Sequence, residues 1–217
     1  MAIGVNGGAM VDAATRIAAI ALLADQRSPK RRSGAKRLRK LRDPSVGPAL
    51  LEALRREVQD SRTWETQYQM IMALGECGYQ PALSFLDALA RQPFEATMVY
   101  VALGDAIIRL GQADKNDATS VLSVMASTND MLIDGALRAV AMLRLRPNNE
   151  AITRIISYAA RRPLEDESRL WVAAAAAGWD GSDVQAFLKT SVASPREDVK
   201  RAAQASLQKI YLTWNPL

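Results

Sequence analysis

The feature that most constrains this chain is a short phrase that returns along it at nearly constant spacing. Each copy opens with Ala or Val and continues as a mainly apolar helical run, and the lead residues are Ala49, Ala82, Ala118, Ala151 and Val184. Successive copies lie 33, 36, 33 and 33 residues apart. A period between about 20 and 50 residues indicates stacked repeats, each burying its apolar face against its neighbours. The sequence therefore predicts a repeat array with an extended binding surface.

A second apolar helix fits between successive copies, with Gly or Pro at most of the breaks, so each unit reads as a helix pair. The fold class that follows is all-α, an α-solenoid of about five helix pairs plus terminal helices. The predicted pairs are 33–41 with 45–58, 62–75 with 81–90, 95–110 with 114–126, 130–145 with 149–160, and 164–178 with 182–192, followed by 195–212. Residues 1–29 are expected to form a flexible N-terminus, frayed through residue 9, and a leading helix, and 30–217 the solenoid.

Helical spacing within the phrase predicts which side chains are buried, and helix-start chemistry predicts two caps. One buried row comprises Leu50, Leu83, Thr119, Ile152 and Gln185. A second row, three residues later on the same face, comprises Ala53, Leu86, Leu122, Ile155 and Leu188. Ser45 and Ser194 are the predicted N-caps of the helices that follow them.

The stretch from Asp43 to Leu54 and the helix ending Met72-Ala73-Leu74-Gly75 resemble the HEAT-repeat family, particularly its short bacterial form. Ile108-Arg109-Leu110-Gly111 repeats the second motif 36 residues later. The resemblance spans roughly residues 30 to 212. It implies an array of HEAT-like helix pairs and leaves function open, because its motifs are degenerate.

The composition removes much of enzymology. The chain has no histidine and one cysteine, so no Ser-His-Asp or Cys-His machinery can exist and no histidine can bind a metal. Cys77 is predicted to be a buried, inert thiol. We therefore expect no catalytic residues, no metal and no cofactor, although a carboxylate, lysine or tyrosine could still act. No run of about 20 apolar residues suggests a membrane span, and the expected location is the cytoplasm.

Positive charge is concentrated in one segment. Nine of the 28 basic residues lie between Arg27 and Arg42 with no acid among them, which leaves 19 basic and 23 acidic residues elsewhere. On a helix, Ala35, Leu38 and Leu41 would form a narrow buried stripe, and the cations would cover the rest. The candidate binding residues are Lys30, Arg31, Arg32, Lys36, Arg37, Arg39, Lys40 and Arg42.

Three interpretations of this basic helix stay open: a solvated surface, a contact for an acidic protein, and a contact for nucleic acid. No aromatic residue lies between residues 27 and 42, which argues against stacking on single strands. We favour a non-enzymatic adaptor or scaffold that binds another protein along its second helices, with the basic helix as an extra contact. The alternative is a nucleic-acid-binding HEAT-like protein, including the DNA glycosylases of that fold, whose catalytic residues have no match here. A third option that the resemblance allows is a lyase-type helper of the phycobilin kind, which shares short HEAT repeats, although nothing in the sequence specifies a pigment.

Two further groups of residues are candidates. The first comprises the tryptophans Trp64, Trp171, Trp179 and Trp214. Trp64 and Trp171 lie in first helices, where we expect large rings to fill gaps between stacked pairs rather than to form a binding platform. Arg144 and Arg146, together with the pair Arg161-Arg162, suggest a second basic spot, although arginines near helix C-termini also have a plain electrostatic explanation.

Overall fold

The computed structural model describes the backbone of residues 6–213 and the side chains of residues 13–213, and this part of the chain contains helices and no strand. The twelve α-helices in it are α1 (Asn6–Leu22), α2 (Ser28–Leu41), α3 (Gly47–Glu57), α4 (Trp64–Glu76), α5 (Leu83–Leu89), α6 (Met98–Gly111), α7 (Thr119–Met125), α8 (Asp130–Leu143), α9 (Asn149–Ala160), α10 (Glu167–Ala175), α11 (Ser182–Ser191) and α12 (Glu197–Leu207). Short 3-10 turns precede α3, α4 and α5 and follow α10.

The chain divides into two compact units, one ending at Leu110 and the other beginning at Gly111. In the first unit α2 packs between α1 and α4, and α3 packs against α4. In the second unit α10 packs between α8 and α12, while α9 packs against both α10 and α11. Within each unit, first helices therefore stack on first helices, as the repeat predicts. The fold class is all-α, of the α-solenoid kind.

Several predicted boundaries need correction. Helix α2 begins at Ser28, five residues earlier than predicted, because Pro29 fits the first helical turn. The last helix ends at Leu207 and not at residue 212. Helix α1 begins at Asn6, so the frayed tail predicted through residue 9 is wrong for residues 6–9, while residues 1–5 lie outside the described residues. The proposed division at residue 30 stays a prediction.

Both predicted caps act differently from expectation. Ser45 lies inside a 3-10 turn, and the Asp43 carboxylate accepts from its backbone N–H at 2.9 Å, so Asp43 is the cap. Ser194 does accept from the N–H of Arg196 at 3.1 Å, but its own hydroxyl donates to the Leu164 carbonyl at 2.6 Å. Ser194 thus anchors the turn before α12 to Leu164, at the start of the preceding helix-pair repeat.

Of the two predicted rows of the buried stripe, the second is largely confirmed, whereas the first is wrong by one residue in most repeats. Of the first predicted row only Leu50 and Ile152 are buried, and the second row is buried except for the half-buried Leu122. In four of the five repeats the lead residue itself is buried, namely Ala82, Ala118, Ala151 and Val184. A residue and its i+4 neighbour lie on one helix face, whereas the residue after the lead is turned by about 100° away from it. The core face therefore runs through the lead and its i+4 partner.

Two glycines act where the motif ending Met72-Ala73-Leu74-Gly75 predicts a helix end. A Cβ at Gly75 would lie 2.8 Å from the Cα of Ala106, so this glycine allows α6 to approach α4 closely. Gly78 has φ of +70°, a left-handed conformation that suits glycine and turns the chain after α4.

Candidate functional site

The predicted basic segment forms α2, and its buried side is fixed by close packing. A Cβ at Gly34 would come within 2.8 Å of the Ala19 carbonyl oxygen, which shows how closely α1 approaches. Ala35 and Leu38 are fully buried, as predicted, and Leu41 is half-buried. The helix therefore has one defined inner face and presents the opposite face to solvent.

Arg31 is half-buried and its guanidinium is held by four hydrogen bonds. Its Nε and Nη2 donate to the two carboxylate oxygens of Glu57 at 2.6 and 2.9 Å, and Glu57 is only 3% exposed. The same guanidinium donates to the carbonyls of Asp25 and Gln26, both at 2.9 Å. The hydrogen bonds to Glu57 raise the pKa of Arg31, and the negative charges of Glu57, Asp25 and Asp60 add to the rise. The pair joins α2 to α3, so its role is structural.

Arg39 is also structural. Its side chain is 7% exposed, and its Nε donates to Glu76 of α4 at 2.8 Å. Its Nη1 donates to the side-chain oxygen of Gln69 at 3.3 Å. Arg32 pairs with Glu65, and the largely exposed Arg42 lies 3.9 Å from Glu76. Half of the predicted binding set therefore already has carboxylate partners on neighbouring helices.

The other four residues form a compact surface, which we name the cationic face: Lys30, Lys36, Arg37 and Lys40. All four are exposed, and within residues 13–213 none has a carboxylate at ion-pair distance. At about 100° per residue they fall within roughly one third of the helix circumference, opposite Ala35 and Leu38. Of the eight predicted binding residues, four therefore have no carboxylate at ion-pair distance within residues 13–213, and partner binding by these four stays a prediction.

The division between structural and free cations predicts a contrast in stability. Replacing Arg39 by Ala leaves the buried carboxylate of Glu76 with only the largely exposed Arg42 nearby, and breaking a buried ion pair typically costs about 3–5 kcal/mol. Replacing the adjacent, exposed Lys40 by Ala should change the free energy of unfolding by no more than about 0.5 kcal/mol. Urea denaturation of both variants measures this contrast. Equal stabilities for the two variants would show that the Arg39–Glu76 pair is not structural.

The second basic spot suggested by the sequence is not formed as one surface. Arg144 and Arg146 follow the C-terminus of α8, whereas Arg161 and Arg162 follow the C-terminus of α9. The two helices are joined by a short loop, and Arg162 hydrogen-bonds Asp130 at the start of α8 at 3.1 Å. The two arginine pairs therefore lie at opposite ends of one hairpin, about 18 Å apart by the length of α9.

The tryptophans divide in the same way. Trp171 is 9% exposed, which confirms the packing interpretation, and Trp179 is buried with its indole N–H donating to the Leu145 carbonyl at 2.8 Å. Trp64 is 37% exposed at the start of α4, so the prediction that it fills a gap is wrong. Trp214 lies outside the described residues.

Sequence reasoning missed Asp134 of α8. Burial raises its pKa to about 7, and the neighbouring Glu167 adds to the rise, while a hydrogen bond from Trp171 lowers it. Its Oδ1 is buried and has no hydrogen-bond partner among residues 13–213. In the sequence, Asp130, Asp134 and Arg138 follow i, i+4 spacing and look like an exposed charged face. Asp130 is exposed, but no local signal shows that α10 packs over Asp134 and Arg138.

A cleft of 410 Å³ in the first unit is polar but already charge-compensated. Leu23, Ala53 and the Arg31–Glu57 pair line it together with Asp25 and Asp60. Hydrogen bonds from Arg62 lower the pKa of Asp60 to about 2, and those from Arg27 lower the pKa of Asp25. Each acid thus has its own arginine, and the cleft has no spare carboxylate for a cationic ligand.

Other structural findings bear on the function classes. Cys77 is buried, as predicted, and burial raises the pKa of its thiol, which disfavours the reactive thiolate. Between residues 13 and 213 no three Cys, Asp or Glu side chains are placed to hold a metal ion. Within the described helices, none combines the length and apolarity that crossing a bilayer requires.

Comparison with known proteins adds little to this description. No protein-family model matches the chain, and no curated protein matches it. Among solved structures, the chain is similar to human deoxyhypusine hydroxylase in complex with glycerol, at 14% identity and a TM-score of 0.41. The match covers 89% of this chain and 83% of that chain. A likeness this distant says nothing about activity.

Proposed function

We propose that this chain is a HEAT-like repeat protein that acts as a non-enzymatic adaptor and binds an acidic surface of another protein. The observation that carries the proposal is the cationic face, where Lys30, Lys36, Arg37 and Lys40 are exposed and no carboxylate of residues 13–213 lies at ion-pair distance from them. Four like charges on a rigid, packed helix attract a complementary acidic surface and orient it on encounter.

The number of free cations favours a protein partner over nucleic acid. Proteins that bind duplex DNA through its backbone commonly neutralise about 6–10 phosphates, whereas the cationic face supplies four charges. Outside the basic segment, acidic residues outnumber basic ones by 23 to 19. That excess of negative charge would repel a nucleic acid extending beyond α2.

The test reverses the charge of the cationic face without disturbing the core. Changing Arg39 to Glu would place two carboxylates together at Glu76, so the variant keeps Arg39 and carries Lys36→Glu, Arg37→Glu and Lys40→Glu. Affinity purification from native cells, with and without nuclease, should yield protein partners that resist nuclease and are lost from this variant. A matched control, Arg91→Glu, Lys115→Glu and Lys189→Glu, makes the same charge change at exposed sites elsewhere and should retain those partners.

Three outcomes would contradict the proposal. Partners lost equally from both variants would show a non-specific charge effect. Complexes destroyed by nuclease, with duplex-DNA binding that falls with salt at a logarithmic slope of about −3.5, would identify phosphates as the ligand of the cationic face. Release of alkylated bases from DNA by the purified protein would favour the glycosylase alternative.

The expected cytoplasmic location stays a prediction.

A further inference from the structure

A second surface in the second unit combines apolar and cationic groups. Helices α7 and α9 line an open cleft of 280 Å³. Leu122 and Met125 of α7, both half-buried, form its apolar side, and Tyr158 with Arg154 and Arg161 forms the other. Leu122 was expected in the core, and its partial exposure leaves part of an aliphatic side chain for a ligand.

The aromatic side of the cleft is held in place. The guanidinium of Arg162 lies over the Tyr158 ring at 4.7 Å, and its Nη2 donates to the Tyr158 hydroxyl at 2.7 Å. That hydroxyl also donates to Asp130 at 3.4 Å. Because these contacts restrict the ring, the cleft needs little reorganisation to receive an aliphatic group.

The two arginines of the cleft have no evident structural task. Arg154 and Arg161 are exposed, and across residues 13–213 neither has a carboxylate at ion-pair distance. Capping α9 is not their task, because buried Arg169 donates to the carbonyls of Ala160 and Arg162, both at 3.0 Å. Seven residues apart, they lie on one face of α9 about 10 Å from each other.

We propose that this cleft binds an acidic amphipathic helix of a partner protein. Two carboxylates about two helical turns apart would match Arg154 and Arg161, and an aliphatic residue midway between them would contact Leu122, Met125 and Tyr158. Apolar anchors at i+3 or i+4 are how a helix occupies a groove. The charges are complementary in sign and spacing, which selects this occupant over an uncharged or basic helix. The site is separate from the cationic face of α2.

The probe is a fluorescein-labelled, alanine-based helical peptide with two glutamates about two turns apart and a pair of leucines midway between them. Its control has the same composition in scrambled order. Fluorescence anisotropy with the full chain should show saturable binding to the patterned peptide, about tenfold or more tighter than to the scrambled one. The variant Arg154→Glu, Arg161→Glu should lose this binding by about tenfold or more and should bind a peptide whose glutamates are replaced by lysines.

Circular dichroism must first show that the variant Arg154→Glu, Arg161→Glu keeps the wild-type helix content. If it does not, the variant Arg154→Gln, Arg161→Gln replaces it, with the same expected loss of peptide affinity. The variant Lys36→Glu, Arg37→Glu, Lys40→Glu should bind the peptide like wild type, so that failure of the cleft and failure of the proposed function are distinguished. Equal binding of patterned and scrambled peptides, or unchanged affinity in the arginine variants, would overturn the proposal. Labelled duplex DNA that binds in place of the peptide and is lost from the same variants would overturn it as well.

Discussion

Replacing Asp134 by Asn is expected to stabilise the protein by about 2–4 kcal/mol above pH 8, because the pKa of this buried carboxyl is far above its ordinary value. Burial against α10, next to Glu167, raises that pKa from 3.8 to about 7. Folding at high pH must therefore hold a charge in a poorly solvated place, whereas the unfolded chain exposes it to water. Asparagine keeps the shape and removes the charge.

The pH window of this effect follows from the raised pKa. Below pH 3.8 the carboxyl is protonated in both states, so the substitution should have almost no effect. Between that pH and about 7 only the folded state holds the proton, and the wild type loses stability relative to Asp134→Asn as the pH rises. Above about pH 7 the difference is constant.

Urea unfolding at several pH values measures the Asp134 effect. The exposed Glu95→Gln variant is the matched control and should stay within about 0.5 kcal/mol of wild type throughout. A difference between Asp134→Asn and wild type that does not change with pH would show that the charge is not the cause. A variant less stable than wild type at pH 8 would contradict the prediction outright.

Truncating Leu86 to Ala should destabilise the protein by about 2–5 kcal/mol, whereas the same change at Leu122 should cost only about 1 kcal/mol. The two residues align in the repeat, but Leu86 is fully buried and Leu122 is half-buried at the cleft between α7 and α9. Truncation therefore leaves a full cavity in the core only at Leu86. Thermal and urea unfolding of both variants, compared with wild type, measure the contrast.

Similar losses for the two variants would mean that α7 has the same register as α5. A loss at Leu86 below about 1 kcal/mol would contradict its burial in the stacked core. Leu122→Ala should also weaken binding of the patterned peptide to the cleft. Leu86→Ala should leave that binding unchanged if the variant remains folded.

The sequence predicts the helix pairs well because their cause is local. Helices α8 and α9 match their predicted ranges to within two residues, since Asn129 and Asn148 cap them and the apolar spacing is regular. The sequence was a weaker guide to the rotation of each helix about its axis, which decides which face is buried. Lead residues such as Ala118 and Ala151 are small, so their hydropathy does not distinguish a buried position from an exposed one. The buried row was therefore assigned to the residue that follows each lead, which is often larger.

The candidate site was predicted only in outline, for a different physical reason. Local sequence identifies nine clustered cations, but the acids that neutralise Arg31 and Arg39 lie 26 and 37 residues further on, in α3 and α4. Only the stacking of helices brings Glu57 and Glu76 to α2. The burial of Asp134 by α10 has the same origin, so charges whose environment depends on a neighbouring repeat cannot be assigned from the repeat alone.

The two kinds of cation on α2 place different constraints on how related sequences can diverge. A change at Arg31 or Arg39 must be matched by a change at Glu57 or Glu76, because a lone charge left in the core is costly. Lys36, Arg37 and Lys40 have no such counterpart within the described chain and can be exchanged one at a time. One helix thus carries coupled sites that preserve the fold and uncoupled sites that can change independently. If the cationic face binds a partner as proposed, that partner can change while the core is kept.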